Sequence, residues 1–199
     1  MDIYFIRHGQ TDWNAAGKMQ GQTDIPLNET GIAEAINSKN KVDALVFDAA
    51  YSSTLRRAMH TAEIILGDNK HKLTHDHRLM ERNYGIFEGE HYLEYEKMKS
   101  AHSSLFPEKG ESREKFVERI KGFIDEKYHS HHSQSIIIFS HGGVYRALLS
   151  ALFGLTWEQY KEYKIRNCEL KHLRLSTGKA QLIEDGKVIL EMPWAHKKQ

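Results

Sequence analysis

Three apolar runs in this chain end in residues suited to handling an anion. "IYFI" (3–6) is followed by Arg7-His8-Gly9-Gln10-Thr11, and "SIIIF" (135–139) by Ser140-His141-Gly142-Gly143. "ALVFDAAY" (44–51) leads into Ser52-Ser53 and then Arg56-Arg57. Guanidinium groups match phosphate oxygens in bidentate geometry. A neutral imidazole is a nucleophile or a proton carrier near neutral pH, and Gly142 and Gly143 let backbone N–H groups approach a ligand closely. Taken singly, each motif has a plainer reading. A histidine at a strand end is usually structural, an arginine near a helix start usually meets solvent or a carboxylate, and Ser-His-Gly-Gly can be a tight turn. Two imidazoles and two guanidiniums brought together need an anion between them. Their recurrence at three strand ends points to a phosphoryl group.

The elements that must position these residues follow from the pattern around them. Each apolar run lacks clean alternation, which suits strands covered on both faces. Helical stretches lie between them. Asn28 is suited to cap a helix running to about Lys39, and Leu55, Ala58, Met59, Ala62, Ile65 and Leu66 form one stripe that stops at Gly67. Phe116, Ile120, Phe123 and Ile124 form a second stripe, and "GVYRALLSALFG" a helix ending at Gly154. The tail reads as short strands turning at Thr177-Gly178 and Asp185-Gly186. The expectation is an α/β three-layer sandwich with a mostly parallel central sheet flanked by helices. With no repeat or linker visible, it is read as one domain over residues 1–199. Sites in such sheets form at the carboxyl ends of the strands, which is where Arg7, His8, Arg56-Arg57 and His141 stand.

The bulk figures narrow the partners. The 199 residues carry 28 Lys and Arg against 27 Asp and Glu, a net charge of +1. That balance calls for neither nucleic acid nor an anionic membrane surface. One cysteine, Cys168, allows no internal disulfide and fits a reducing compartment. No leader or membrane-length apolar run is seen, so a cytoplasmic protein is expected. Thirteen histidines are many, but those of "YHSHHSQS" (128–135) have no cysteine or carboxylate at ligand spacing. They read as a solvated loop, and no metal is assigned.

Longer matches sharpen the reading. "IRHGQTDWN" resembles the Arg-His-Gly-x-Thr signature of the histidine phosphatase superfamily, in the branch that contains the cofactor-dependent phosphoglycerate mutases. The resemblance continues in order through "KMQGQTDIPLNETG", "SSTLRRAMHTA", "LMERNYGIFEG", "GESREKFVERI", "SHGGVYR" and "RNCELKHL", and so covers nearly the whole chain. It implies a phosphoglycerate mutase-like fold with His8 as a phosphoryl-accepting nucleophile. Arg7, Arg57 and His141, with the backbone at Gly142, would hold the phosphoryl oxygens, and Asn14 would contact phosphate. Helical spacing leaves Arg56 and Arg57 open; the family pattern Ser-x-Leu-x-Arg-Ala selects Arg57. Glu81 aligns with the general acid, although spacing alone would make it a surface glutamate beside Arg82. Gln20, Gly21, Arg82 and Tyr84 are implied near the substrate. No metal or cofactor is implied, because the arginines and imidazole supply the positive charge.

Within that resemblance, water either attacks the phosphohistidine (a phosphatase), or the phosphoryl group returns to a bound glycerate after priming by 2,3-bisphosphoglycerate (a mutase). Arg82 and Tyr84 in "ERNYG" keep the mutase in view. Against it, the chain between Gly89 and Glu111 lacks the longer insertion with paired arginines, and Gly143 stands where mutases usually have asparagine. A phosphatase acting on a small phosphorylated metabolite is therefore expected, with oligomeric state open. A member that binds a phosphorylated ligand without turnover is the alternative outside the enzymes. Tyr92, Tyr95, Lys97 and His102 could face substrate or decorate an amphipathic helix.

Overall fold

The computed structural model describes residues 1–101, 110–156, 159 and 163–194. Among them seven strands form one sheet: β1 (Asp2–Arg7), β2 (Ala49–Ser52), β3 (Leu73–His75), β4 (Ser135–Ser140), β5 (Leu170–Ser176), β6 (Lys179–Glu184) and β7 (Lys187–Pro193). Their order across the sheet is β3-β2-β4-β1-β5-β6-β7. Helices α1 (Asp12–Ala15), α2 (Glu29–Asp43), α3 (Arg56–Leu66), α4 (Tyr92–Ala101), α5 (Arg113–His131) and α6 (Gly142–Phe153) complete the described frame. No described helix is long and apolar enough to cross a membrane.

The apolar runs of β1 and β4 are explained by burial on both sides. Ile3 and Phe5 of β1, with Ile136 and Ile138 of β4, pack with Phe116, Ile120 and Phe123 of α5 and with Val144 and Leu148 of α6. Their neighbours Ile6, Ile137 and Phe139 pack with Ala35 and Val42 of α2 and with Ala62 and Ile65 of α3. Each buried Ile or Phe contributes about 1.5–3 kcal/mol, so these strands are held from both faces. In register Arg7 lies opposite Ser140, and Ser52 opposite Phe139. Three strands thus end at one level, at the same edge of the sheet.

The sheet departs from the expected mostly parallel arrangement. β3, β2, β4 and β1 are parallel to one another, whereas β5, β6 and β7 join antiparallel. The tail strands are linked by two residues each, too few for a crossover connection. Asp185 and Gly186 both take positive φ, 49° and 74°, the backbone of a tight hairpin turn.

Two local expectations are corrected. Residues 44–48 are not strand, because α2 runs on to Asp43, where an ion pair of 2.9 Å joins Lys39 to Asp43 one turn apart. An apolar run without periodicity leaves a helix end and a strand start indistinguishable. The histidines at 129 and 131 lie in the last turn of α5 rather than in a loop. There Tyr51 and His131 share a hydrogen bond of 2.8 Å between Oη and Nε2. No group of three or more metal-ligating side chains gathers among the described residues.

Candidate active site

His8 follows β1 directly, and its backbone N–H donates to Ser140 O at 2.9 Å. The turn after it is held by close backbone packing. A Cβ at Gly9 would lie 2.4 Å from Gly31 O, and one at Gly31 would lie 2.1 Å from Gln10 O. Only glycine at both positions lets the first turn of α2 seat against the loop that carries His8. Thr61 of α3 ties the loop down, accepting from Gly9 N at 3.0 Å and donating to Arg57 O. Asn167 Nδ2 donates to His8 O at 2.8 Å.

The imidazole of His8 is 3% exposed. Its Nδ1 lies 2.7 Å from Gly9 O. A carbonyl oxygen only accepts, so Nδ1 carries the proton and Nε2 keeps its lone pair. Burial, then the charges of Arg57 and Arg7, hold its pKa well below the usual histidine range, although the bond to Gly9 acts the other way. A neutral, oriented imidazole is the form that attacks phosphorus.

Arg57 is fully buried. Its Nη1 donates to Thr23 O at 2.9 Å, its Nη2 to Gly21 O at 2.7 Å and its Nε to His141 Nδ1 at 3.2 Å. Of its five N–H bonds, two remain for a ligand. Burial lowers its pKa to about 10, which leaves it charged at neutral pH. Arg56 turns away instead, its Nε on Asp24 Oδ2 at 2.9 Å in solvent. Arg7 donates from Nη1 to Ile165 O at 3.0 Å, while its buried Nε has no partner. A buried N–H without an acceptor costs about 1–3 kcal/mol. This one lies beside Gly142, where a Cβ would be 3.5 Å away.

Glu81 stands over the start of α6. Gly143 N donates to its Oε2 at 2.9 Å and Arg82 N to its Oε1 at 2.8 Å. A Cβ on Gly143 would lie 2.0 Å from Oε1, so the second glycine of "SHGG" makes room for this carboxylate. Arg119 braces the segment bearing Glu81, donating to the carbonyls of Arg78 and Met80 while paired with Glu111.

Most of the residues expected here line one cavity of about 280 Å³: Arg7, His8, Asn14, Gln20, Gly21, Arg57, Glu81, Tyr84 and Gly142. Asn14 Oδ1 accepts from Thr11 N and Oγ1, both at 3.2 Å, which leaves its amide nitrogen for a ligand. Two expected residues lie elsewhere. His141 is fully buried beneath the cavity, its ring 5.1 Å from that of His8 between centroids. Because Nδ1 accepts from Arg57, Nε2 donates to Ser53 Oγ at 2.8 Å, so both nitrogens are committed. Burial and Arg57 hold its pKa well below the usual range. Arg82 is 5% exposed, with Nε on Glu111 O at 2.7 Å, and is absent from the cavity wall. Tyr92 and Tyr95 line the cavity, whereas Lys97 is exposed and paired with Glu94; His102 lies outside the described residues.

Sequence reasoning passed over Glu88. Its carboxylate accepts from Gln22 N, Tyr84 N, Thr23 N and Thr23 Oγ1 at 2.6–3.0 Å, and so fixes the Gly21–Thr23 carbonyls that receive Arg57. A lone glutamate between turns gives no periodic signal to find it by. Asn167 lay inside "RNCELKHL" but without a role.

The family model of the histidine phosphatase superfamily (branch 1) matches residues 3–185. A Hydrogenobacter thermophilus protein that carries the name phosphoserine phosphatase 2 is 30% identical over 192 residues, covering 91% of this chain and 93% of that one. A Yersinia pestis protein that carries the name phosphoglycerate mutase GpmB is 31% identical over 182 residues, covering 87% and 84%. The crystal structure of the alpha-ribazole phosphatase from Shigella flexneri superposes with a TM-score of 0.82 at 28% identity, covering 92% of this chain and 95% of that one.

Proposed function

The chain belongs to the histidine phosphatase superfamily, branch 1, and from that membership we propose that it is a phosphoric monoester hydrolase working through a phosphohistidine on His8. The observation that carries the mechanism is the bond from His8 Nδ1 to Gly9 O. It leaves Nε2 unprotonated, on a ring that feels the charges of Arg57 and Arg7.

In the first step Nε2 attacks phosphorus, the P–N bond forms and the ester P–O bond breaks. The departing alkoxide takes a proton from the Glu81 carboxyl. Arg7 and the two free N–H bonds of Arg57 hold the equatorial oxygens as charge builds on them. Asn14 Nδ2 and the free N–H at the start of α6 add neutral donors. The imidazolium that results keeps its Nδ1–H on the Gly9 carbonyl. In the second step water attacks phosphorus, gives its proton to the Glu81 carboxylate, and the P–N bond breaks to release phosphate. His141 acts through other residues, by fixing Arg57 Nε and packing on the His8 ring.

The substrate is a small phosphorylated metabolite. A mutase is the second reading, favoured by the name carried by the Yersinia relative and by Tyr84 of "ERNYG" on the cavity wall. Turnover of p-nitrophenyl phosphate, with loss of at least about 10⁴-fold in His8→Ala and an acid-labile phosphoenzyme in the intact protein, tests the proposal. No turnover in the intact protein overturns catalysis. Isomerisation of 3-phosphoglycerate without phosphate release, dependent on 2,3-bisphosphoglycerate, would establish the mutase instead.

A further inference from the structure

Two successive backbone carbonyls flank the His8 side chain, and a single turn far along the sequence receives both. Arg7 O accepts from Cys168 N at 3.0 Å, and His8 O accepts from Asn167 Nδ2 at 2.8 Å. The Arg7 guanidinium reaches the same stretch through Ile165 O. The turn spans residues 166–169. Glu169 N donates to Arg166 O at 3.2 Å, and Arg166 N donates to Glu169 Oε2 at 2.6 Å.

This turn is held in a conformation that its residues do not favour. Cys168 takes φ 51° at the third turn position, where glycine or asparagine is usual. Among the described non-glycine residues only Asp185 shares a positive φ, and it lies in an exposed hairpin. Cys168 is held there from two sides. Its side chain is buried with Ile6, Ala35 and Phe139, and Ser38 Oγ donates to its carbonyl at 3.1 Å. Backbone strain persists only where the surroundings over-determine it, and it gathers at working sites. The sheet does not require the Asn167 bond, because β5 pairs with β1 only from Leu170, opposite Ile6.

Asn167 has a second acceptor. Its Nδ2 carries two hydrogens; one meets His8 O and the other faces Asn14 Oδ1 at 3.5 Å. Thr11 N and Oγ1 donate to that same oxygen. With three donors around Oδ1, the amide of Asn14 is oriented and its nitrogen is left for the phosphoryl group. Asn167 does not itself line the cavity, so it acts through these two partners.

We propose that Asn167 is a positioning residue for phosphoryl transfer, holding the His8 backbone and the Asn14 amide in one fixed relation. The left-handed backbone of Cys168 serves to aim it at both. The inference rests on the reading of His8 as nucleophile and adds a residue that sets its alignment. A small misplacement of the imidazole lowers the rate of in-line attack far more than it weakens ground-state binding.

The test uses the full chain, assayed well below its thermal midpoint. Asn167→Ala should lower kcat for p-nitrophenyl phosphate by about 10–100-fold and leave KM within about threefold. Asn167→Asp keeps the volume, but its carboxylate cannot donate to His8 O, so it should lose at least as much. Orthovanadate binds as a five-coordinate adduct that needs the imidazole in line. In both variants its affinity should fall at least about tenfold further than that of inorganic phosphate. Leu182→Ala, in the buried part of β6, should lower the thermal midpoint and move neither kcat nor the vanadate-to-phosphate ratio. Asn14→Ala combined with Asn167→Ala should lose less than the product of the single losses.

Full activity in Asn167→Asp would show that bulk suffices and overturns the proposal. Equal losses of vanadate and phosphate affinity overturn it too, since alignment would then be intact. A full product in the double variant overturns the link to Asn14. If the intact protein neither turns over p-nitrophenyl phosphate nor forms a phosphoenzyme, the phosphatase reading itself fails and takes this inference with it.

Discussion

The floor and the mouth of the cavity are built on opposite terms. On the floor, His8, Arg57 and His141 are buried, and their polar atoms are fixed by backbone carbonyls, by Ser53 and by one another. At the mouth, Lys18, Arg146 and Lys164 have no ionic partner among the described residues and come from loops and a helix flank. Fixed donors in a low-dielectric floor stabilise charge without reorganising during the reaction. Cations without an ionic partner at a rim select and steer ligands more than they accelerate chemistry. Floor substitutions should therefore act on kcat, and rim substitutions on the choice of substrate.

The largest effect should come from the floor's own cation. Arg57→Gln removes a charge from the transition state and leaves the carbonyls of Gly21 and Thr23 without their donor. A loss of about 10³-fold or more in kcat/KM is expected by analogy with other phosphoryl-clamping arginines, together with a lower thermal midpoint. Arg56→Gln, whose partner Asp24 lies in solvent, should change either quantity little. Comparable losses in the two variants would erase the distinction that the structure makes between these neighbours.

Next comes Glu81→Gln, with an expected loss of about 10²–10⁴-fold for an alkyl phosphate. The loss should be much smaller for p-nitrophenyl phosphate, whose phenolate leaves without a proton. An equal loss for both esters would mean that Glu81 serves geometry rather than proton transfer. Gly143→Ala should follow at about tenfold in kcat, because a Cβ there would lie 2.0 Å from Glu81 Oε1 and push the carboxyl out of line. In the Glu81→Gln background the same change should add little, since both act through one group. Full additivity would break that link.

The smallest effect is on stability. His8 and His141 have pKa values well below 6.5 in the folded chain and ordinary ones when unfolded. Below about pH 6.5 the unfolded chain binds protons that the folded chain refuses, so stability falls on acidification. Each histidine accounts for up to about 1.4 kcal/mol per pH unit in that window. Above pH 7 both states hold neutral imidazoles, and this contribution is flat. Thermal midpoints measured from pH 7 to pH 5 should drop less steeply in His8→Asn than in the intact protein; parallel slopes would contradict a neutral buried imidazole.

Sequence alone determined the helix-flanked strands at the centre of the frame and pointed to phosphoryl chemistry at their ends. Apolar runs without alternation implied strands buried on both sides, and Ile136–Phe139 pack alternately into two helix layers as those runs require. Motifs at three strand ends implied a phosphoryl site, because residue type and adjacency to a strand end are local properties. Tertiary structure decided what depends on partners distant in the chain. It separated Arg57 from Arg56 without recourse to a family pattern, since one faces the Gly21 and Thr23 carbonyls and the other Asp24. It buried His141 beneath His8 and took Arg82 to Glu111. It gave Glu88 its place as the clamp of a loop more than sixty residues away, and it explained Gly9 by Gly31 and Gly143 by Glu81. Packing brings such pairs together, and no periodicity or spacing along the chain records which residues meet.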